Sequence, residues 1–150
     1  KVDVKSAQQM FEAVTARSAQ QDIIVMCSAV ADYKPADYSE QKVKKNSGDM
    51  SIALTRTQDI LGWLGEHKRK GQLLVGFSME TENLIDNSRA KLTKKHADMI
   101  CANSIASEKT GFGVDTNQVT LVTSDGIKEL PFCSKENTAD QILSHIITLS

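Results

Sequence analysis

The residues of this chain best suited to chemistry fall in two places. One is the stretch Cys27-Ser-Ala-Val-Ala-Asp-Tyr-Lys-Pro35, followed by the basic cluster Lys42-Val-Lys-Lys45. The other is a pair of lysines, Lys91 and Lys95, spaced i, i+4 so that they share one face of a helix. In the first stretch the small residues Ser28 and Ala29 let a flat ligand approach the backbone. Asp32 can accept hydrogen bonds from hydroxyls, and the nearby lysines suit phosphate. Lys91 and Lys95 can grip phosphate as point charges. The chemistry these residue types suggest together is nucleotide binding. Each also has a purely structural reading: tight packing at a strand end, a turn cap at Asp32, a solvated lysine loop, and lysines opposing a helix dipole near its carboxyl end.

The elements that must position these residues are legible from the apolar pattern. Asp22-Ile-Ile-Val-Met26 reads as a parallel strand buried on both faces, continuing to Ala29. Beyond such a strand the chain leaves the sheet at the carboxyl edge, where open α/β sheets bind ligands. Before it, Val2-Asp-Val4 reads as the tail of a strand. Ser6 then caps a helix with Ala7, Met10, Phe11 and Val14 on one face, which completes a right-handed βαβ unit. Residues 30–48 form a polar loop without periodicity, long enough to act as a flap over a ligand.

Met50-Ser-Ile-Ala-Leu-Thr55 alternates like a half-buried strand, and Thr57 is placed to cap a helix carrying Ile60, Leu61 and Leu64, with Trp63 joining the core. The backbone N–H groups at that helix start are a candidate phosphate contact. Further buried strands are expected at Leu73–Met79, where Gly76 signals a close approach, and at Met99–Asn103, with a helix from Asn83 to His96 between them. Gln118–Val122 and Ile127–Leu130 flank an Asp125-Gly126 hairpin signal. A last helix places Ile142, Leu143, Ile146 and Ile147 inward.

A chain of 150 residues fits one domain with a proper core. A formal net charge of −1 gives no global attraction for nucleic acid or membrane, so any phosphate site must be local. No apolar run reaches the roughly 20 residues of a membrane span, and a cytoplasmic location is the default expectation. Cys27, Cys101 and Cys133 are odd in number, widely separated and without a His at metal-ligand spacing, so buried reduced thiols are expected.

Six ordered blocks give the pattern a family. They are Ser28-Ala-Val-Ala-Asp-Tyr-Lys-Pro35, Lys42-Val-Lys-Lys45, Val75-Gly-Phe-Ser-Met-Glu-Thr81, Arg89-Ala-Lys-Leu-Thr-Lys-Lys95, Asp98-Met-Ile-Cys-Ala-Asn103 and Gly111-Phe-Gly-Val-Asp-Thr-Asn117. Over nearly its whole length the sequence resembles the phosphopantothenate–cysteine ligase domain of the bacterial DNA/pantothenate metabolism flavoprotein family. The resemblance implies a Rossmann-like three-layer αβα domain, with a mainly parallel sheet and an antiparallel hairpin at one edge. It implies activation of the carboxylate of 4′-phosphopantothenate by CTP with Mg²⁺, release of pyrophosphate, and displacement of CMP by L-cysteine.

Carried over by residue, the resemblance puts Ser28 and Ala29 against the cytosine edge and Asp32 at the ribose. Lys42 becomes the flap lysine that stabilises cytidylyl transfer, Lys91 and Lys95 become phosphate ligands, and Phe77 an aromatic at the nucleotide pocket. Asp59 and Ile60 fall in Thr57-Gln-Asp-Ile60, where the family commonly has Asn-Pro-Asp-Ile; that loop is expected to present its backbone to the nucleotide. The family's first strand, its glycine-containing loop and the asparagine that handles the acyl-cytidylate are expected before Lys1, as is a flavin-dependent decarboxylase domain. The family is typically dimeric, and the edge from Gln118 to Leu130 offers backbone groups for such association. Two readings follow: a CTP-dependent ligase or the greater part of one, and a nucleotide-binding or dimerisation module without turnover of its own.

Overall fold

The computed structural model describes residues 1–37, 39–44, 48–104 and 113–149. Helix α1 (Ala7–Ser18) begins where expected, with the Ser6 hydroxyl accepting the Gln9 N–H. Met10, Phe11 and Val14 pack against the core. Strand β1 (Ile23–Met26) follows, and then a two-stranded antiparallel ribbon, β2 (Tyr33–Pro35) with β3 (Leu54–Arg56). Helix α2 (Ile60–Glu66), strand β4 (Leu73–Glu80), helix α3 (Leu84–Lys94) and strand β5 (Met99–Ser104) complete the alternating part. The remainder comprises β6 (Thr116–Asn117), β7 (Val119–Thr123), β8 (Ile127–Glu129), β9 (Cys133–Ser134) and helix α4 (Lys135–Thr148).

Among the described residues the main sheet has the order β1-β4-β5-β7-β8. The pairs β1/β4 and β4/β5 are parallel, while β5/β7 and β7/β8 are antiparallel. Strand alternation sends side chains to two helical layers. Val75, Met99, Cys101, Val119 and Leu121 pack with Ile142 and Ile146 of α4. Leu74, Ile100, Ala102 and Val122 meet residues of α1, α2 and α3 on the other face. The architecture is therefore the Rossmann-like αβα sandwich with an antiparallel hairpin at one edge. Gly76 marks a close approach as expected, because a Cβ there would lie 2.7 Å from the Leu61 side chain and 3.0 Å from that of Ile100.

Several expectations are corrected. Residues 1–5 form no strand, and Val2 and Val4 are exposed. β1 is not buried on both faces: among the described residues it pairs only with β4, and Ile23 is 42% and Val25 36% exposed. The alternation from Met50 to Thr55 does not mark a half-buried strand. Met50, Ile52 and Leu54 are all exposed, and the observed β3 starts at Leu54 and pairs with Tyr33–Pro35 inside the stretch read as a loop. The cap of α2 is Asp59 rather than Thr57. Cys27 is exposed, Cys133 half-buried and Cys101 buried, so the expectation of burial fits Cys101. On α4 the inward face is Thr138, Ile142 and Ile146, while Leu143 and Ile147 are exposed. Lys45 and the Gly111-Phe112 start of the sixth block lie outside the described residues.

Candidate functional site

The carboxyl ends of β1 and β4 and the facing ends of α2 and α3 enclose one polar pocket of about 160 Å³. β1 ends at Met26, and the chain beyond it supplies Ser28, Val30 and Asp32. This exit is held by the loop before α2: Thr57 donates from its backbone N–H to the Asp32 carbonyl (2.9 Å) and from its hydroxyl to the Ala31 carbonyl (2.6 Å). Thr57 thus fastens two loops together, which its reading as a helix cap did not anticipate. Gln58 and Leu61 join the lining, and Ile60, 5% exposed, anchors the start of α2 in the core beneath.

The cationic side comes from the end of α3, where Lys91 in its last turn and Lys95 at its C-cap both line the pocket. Lys91 Nζ donates to the Phe77 carbonyl at 2.9 Å. The aromatic position therefore lines the pocket with its backbone engaged, and its ring packs against the α4-side core cluster. Lys95 Nζ forms an ion pair with the Asp59 carboxylate. Asp59 in turn accepts the Gly62 N–H at 2.9 Å, so it caps α2 and holds Lys95 at once. Partial burial acts to raise the Asp59 pKa. The hydrogen bonds from Lys95 and Gly62, with the charges of Lys95 and Lys94, outweigh that effect and leave the carboxyl below its usual 3.8.

Seven of the nine expected site residues, Ser28, Asp32, Asp59, Ile60, Phe77, Lys91 and Lys95, line this single pocket. Ala29 faces a neighbouring depression beside Ser6, Ala7 and Met10. Lys42 is exposed and outside the pocket lining. The phosphate role suggested for the α2 N–H groups meets a carboxylate already in place at the cap. Met26, Val30, Thr57, Gln58 and Leu61 also line the pocket without having been singled out as ligand contacts. Val30 lies two residues beyond Ser28 in the strand-end run, and that alternation was its available signal.

A larger groove of about 390 Å³ lies between α1, β1 and the first residues, but Val2, Val4, Met10, Val14 and Ile24 dominate it and Arg17 is its charged member. Two lysines, two carboxylates and strand-end backbone converge only in the smaller pocket among these two. Its volume is below the roughly 300–1,000 Å³ of pockets that enclose a drug-sized ligand, so a larger ligand extends past its rim and only part of it sits inside.

The fold and this pocket define an α/β protein of Rossmann-like architecture with a polar site at the carboxyl edge of its parallel strands. Residues 1–149 match the family described as DNA/pantothenate metabolism flavoprotein C-terminal domain, and the chain belongs to that family. It is 44% identical over 150 residues to the coenzyme A biosynthesis bifunctional protein CoaBC of Bacillus subtilis (strain 168), covering 99% of this chain and 37% of that protein. It is 41% identical over 149 residues to a cysteine/cysteine sulfinic acid decarboxylase from an unknown prokaryotic organism, covering 99% and 42%. The crystal structure of the C-terminal domain of a coenzyme A biosynthesis bifunctional protein CoaBC superposes with a TM-score of 0.79 at 40% identity, covering 99% of this chain and 64% of that one. The chain thus spans well under half the length of these two curated relatives. No helix among the described residues is long and apolar enough to cross a membrane.

Proposed function

We propose that this chain supplies the nucleotide-binding part of a cytoplasmic, dimeric ligase of coenzyme A biosynthesis, which joins 4′-phosphopantothenate to L-cysteine at the expense of CTP. The substrate carboxylate attacks the α-phosphorus of CTP and displaces pyrophosphate. The cysteine amine then attacks the acyl carbon of the acyl-cytidylate, releasing CMP and a proton and leaving the amide. Activation is needed because a free carboxylate has no adequate leaving group for an amine.

The observation that carries this reading is the convergence of Lys91 and Lys95 from α3 with Asp32 from the end of β1 in one pocket. Two ammonium groups a helical turn apart match the charge of a polyphosphate, and their placement suits stabilisation of the pyrophosphate as it leaves. Asp32 serves as acceptor for ribose hydroxyls, and Ser28 and Ala29 offer backbone for the base. Lys42 completes the charge set as the flap lysine of this reading.

Mg²⁺ enters as the companion of CTP. Among the described residues no group of three His, Cys, Asp or Glu side chains is placed to hold a metal ion, so phosphate oxygens are its main ligands in this reading. The similarity to CoaBC proteins supports the substrate assignment, with a flavin-dependent decarboxylase as fused or separate partner.

The test is pyrophosphate release by the longer protein that carries this domain. Release is expected only when CTP, Mg²⁺ and 4′-phosphopantothenate are all present, with amide formation on adding L-cysteine. Lys91→Ala is expected to lower kcat/KM at least about tenfold, the cost of a lost charge-assisted hydrogen bond. Release that is independent of phosphopantothenate, or unchanged in Lys91→Ala, overturns the proposal.

A further inference from the structure

The two lysines of the pocket are held in different ways. Lys91 rests on a neutral acceptor, the Phe77 carbonyl, and keeps its charge available. Lys95 is neutralised by a full carboxylate, Asp59, which is itself fixed by the Gly62 N–H. With Asp32 included, the charged side chains lining the pocket are two carboxylates and two ammonium groups. An anion arriving here can use Lys91 directly. For Lys95 it competes with Asp59, which already takes one of the three N–H donors and offsets the charge.

We infer that Asp59 is a built-in competitor for Lys95, which holds the lysine in position while the pocket is empty and reclaims it as the polyphosphate product departs. The inference rests on the reading of this pocket as a polyphosphate site and adds to it a means of product release. Its geometry is favourable. Asp59 is the cap of α2, so its carboxylate is anchored by the helix it terminates and does not swing away when Lys95 leaves. Lys95 is the more enclosed partner, with 17% of its side chain exposed against 56% for Asp59. The close approach of α2 to the end of α3 keeps the two within reach, because Gly65 sits directly against the Lys95 backbone. A ligand that draws Lys95 away therefore leaves behind an unpaired carboxylate that repels its negative charge, and the cleavage that frees pyrophosphate adds one more negative charge to be repelled.

Removing the charge while keeping the cap isolates this role. Asn is as good a helix cap as Asp, so Asp59→Asn retains the acceptor for Gly62 and the shape of the site. The probe is inorganic pyrophosphate, titrated calorimetrically into this chain. Asp59→Asn is expected to bind it roughly 3- to 10-fold more tightly than wild type, the range for freeing a partly exposed lysine from its partner and relieving the repulsion. In a Lys95→Met background Asp59 has no ion pair to break and only the repulsion is relieved, so the Asp59→Asn gain is expected to be smaller than in wild type. A tightening caused by general loosening of the pocket would persist there undiminished.

If wild type binds pyrophosphate, Lys95→Met weakens it, and Asp59→Asn binds equally or less tightly, the competitor role is overturned while the phosphate site stands. If pyrophosphate binds none of the folded proteins, the phosphate reading fails and this inference falls with it. In the turning-over longer protein the same substitution is expected to lower kcat and strengthen product inhibition by pyrophosphate. Damage to the fold alone would not give that pairing.

Discussion

Gly65→Ala tests how the pocket is assembled without altering any side chain that lines it. Gly65 lies inside α2, where replacing glycine by alanine ordinarily gains about 1 kcal/mol of helix propensity. Here a Cβ would fall within the van der Waals envelope of the Lys95 carbonyl oxygen, 2.9 Å from its carbon and 3.1 Å from the His96 Cβ. Relaxing the carbonyl carbon alone to a normal ~3.5 Å separation requires a shift of roughly 0.6 Å, and the oxygen requires more. The obstacle is backbone at the end of α3, so no side chain can rotate out of the way. Overpacking of this kind costs about 3 kcal/mol at the upper end of its usual range.

The steric cost outweighs the propensity gain, leaving a net destabilisation of roughly 2 kcal/mol. That corresponds to a fall in Tm of about 4–8 °C for a domain of this size. Thermal melts followed by circular dichroism read it, with Gly126→Ala as control: a Cβ at Gly126 meets nothing within 4 Å, so its change should stay within about 0.5 kcal/mol. A Gly65→Ala protein as stable as wild type, or more so, would refute the claim that α2 and α3 are pressed together there.

Three further outcomes are expected. The folded-state pKa of Asp59 is depressed, so its stabilising effect is present above the unfolded value of about 3.9 and lost as pH falls through the folded one. Urea titrations should accordingly find Asp59→Asn less stable than wild type at pH 6, with the difference closing below pH 4; a gap that widens in acid contradicts this. Burial, with the nearby Cys27 as second cause, pushes the Cys101 thiol up to about 12, whereas Cys27 is exposed. Iodoacetamide at pH 8 should therefore label Cys27 in the native protein and spare Cys101 until it unfolds, and equal labelling by mass spectrometry would count against the burial. Ile146→Ala should cost about 2–5 kcal/mol because Ile146 is 1% exposed, while Ile147→Ala, at a position 68% exposed, should change stability by less than about 0.5 kcal/mol.

The parts of the fold that could be read from sequence are those whose burial is two-sided or whose turn chemistry is local. Leu73–Glu80 and Met99–Ser104 are near-continuous apolar runs because both faces of β4 and β5 are covered. Ser6 and the Asp125-Gly126 turn act over three or four residues and need no tertiary knowledge. The run Asp22–Met26 reads like those central strands, yet among the described residues β1 has one strand neighbour, and an apolar run carries no record of how many neighbours it finds.

The ribbon of β2 and β3 was hidden for a related reason. All six of its residues are exposed, so the alternation at Met50, Ile52 and Leu54 carried no burial signal. In α4 the four apolar residues span more than one face. Only Ile142 and Ile146, spaced i, i+4, meet the core with Thr138, and Leu143 and Ile147 rotate outward. For the pocket, the i, i+4 spacing singled out Lys91 and Lys95 among the cations near the end of α3, and both line it. The choice of Asp59 over Thr57 as cap was not legible, because both are good caps and the decision rests on contacts to Ala31, Asp32 and Lys95.

Calorimetric titration of this chain with CTP and Mg²⁺, with ATP as competitor and Lys91→Ala as control, tests the central claim most directly. The account predicts saturable CTP binding that ATP weakens only at high concentration and that Lys91→Ala weakens at least about tenfold. The absence of saturable binding by the folded chain, or binding of equal strength in Lys91→Ala, would contradict it.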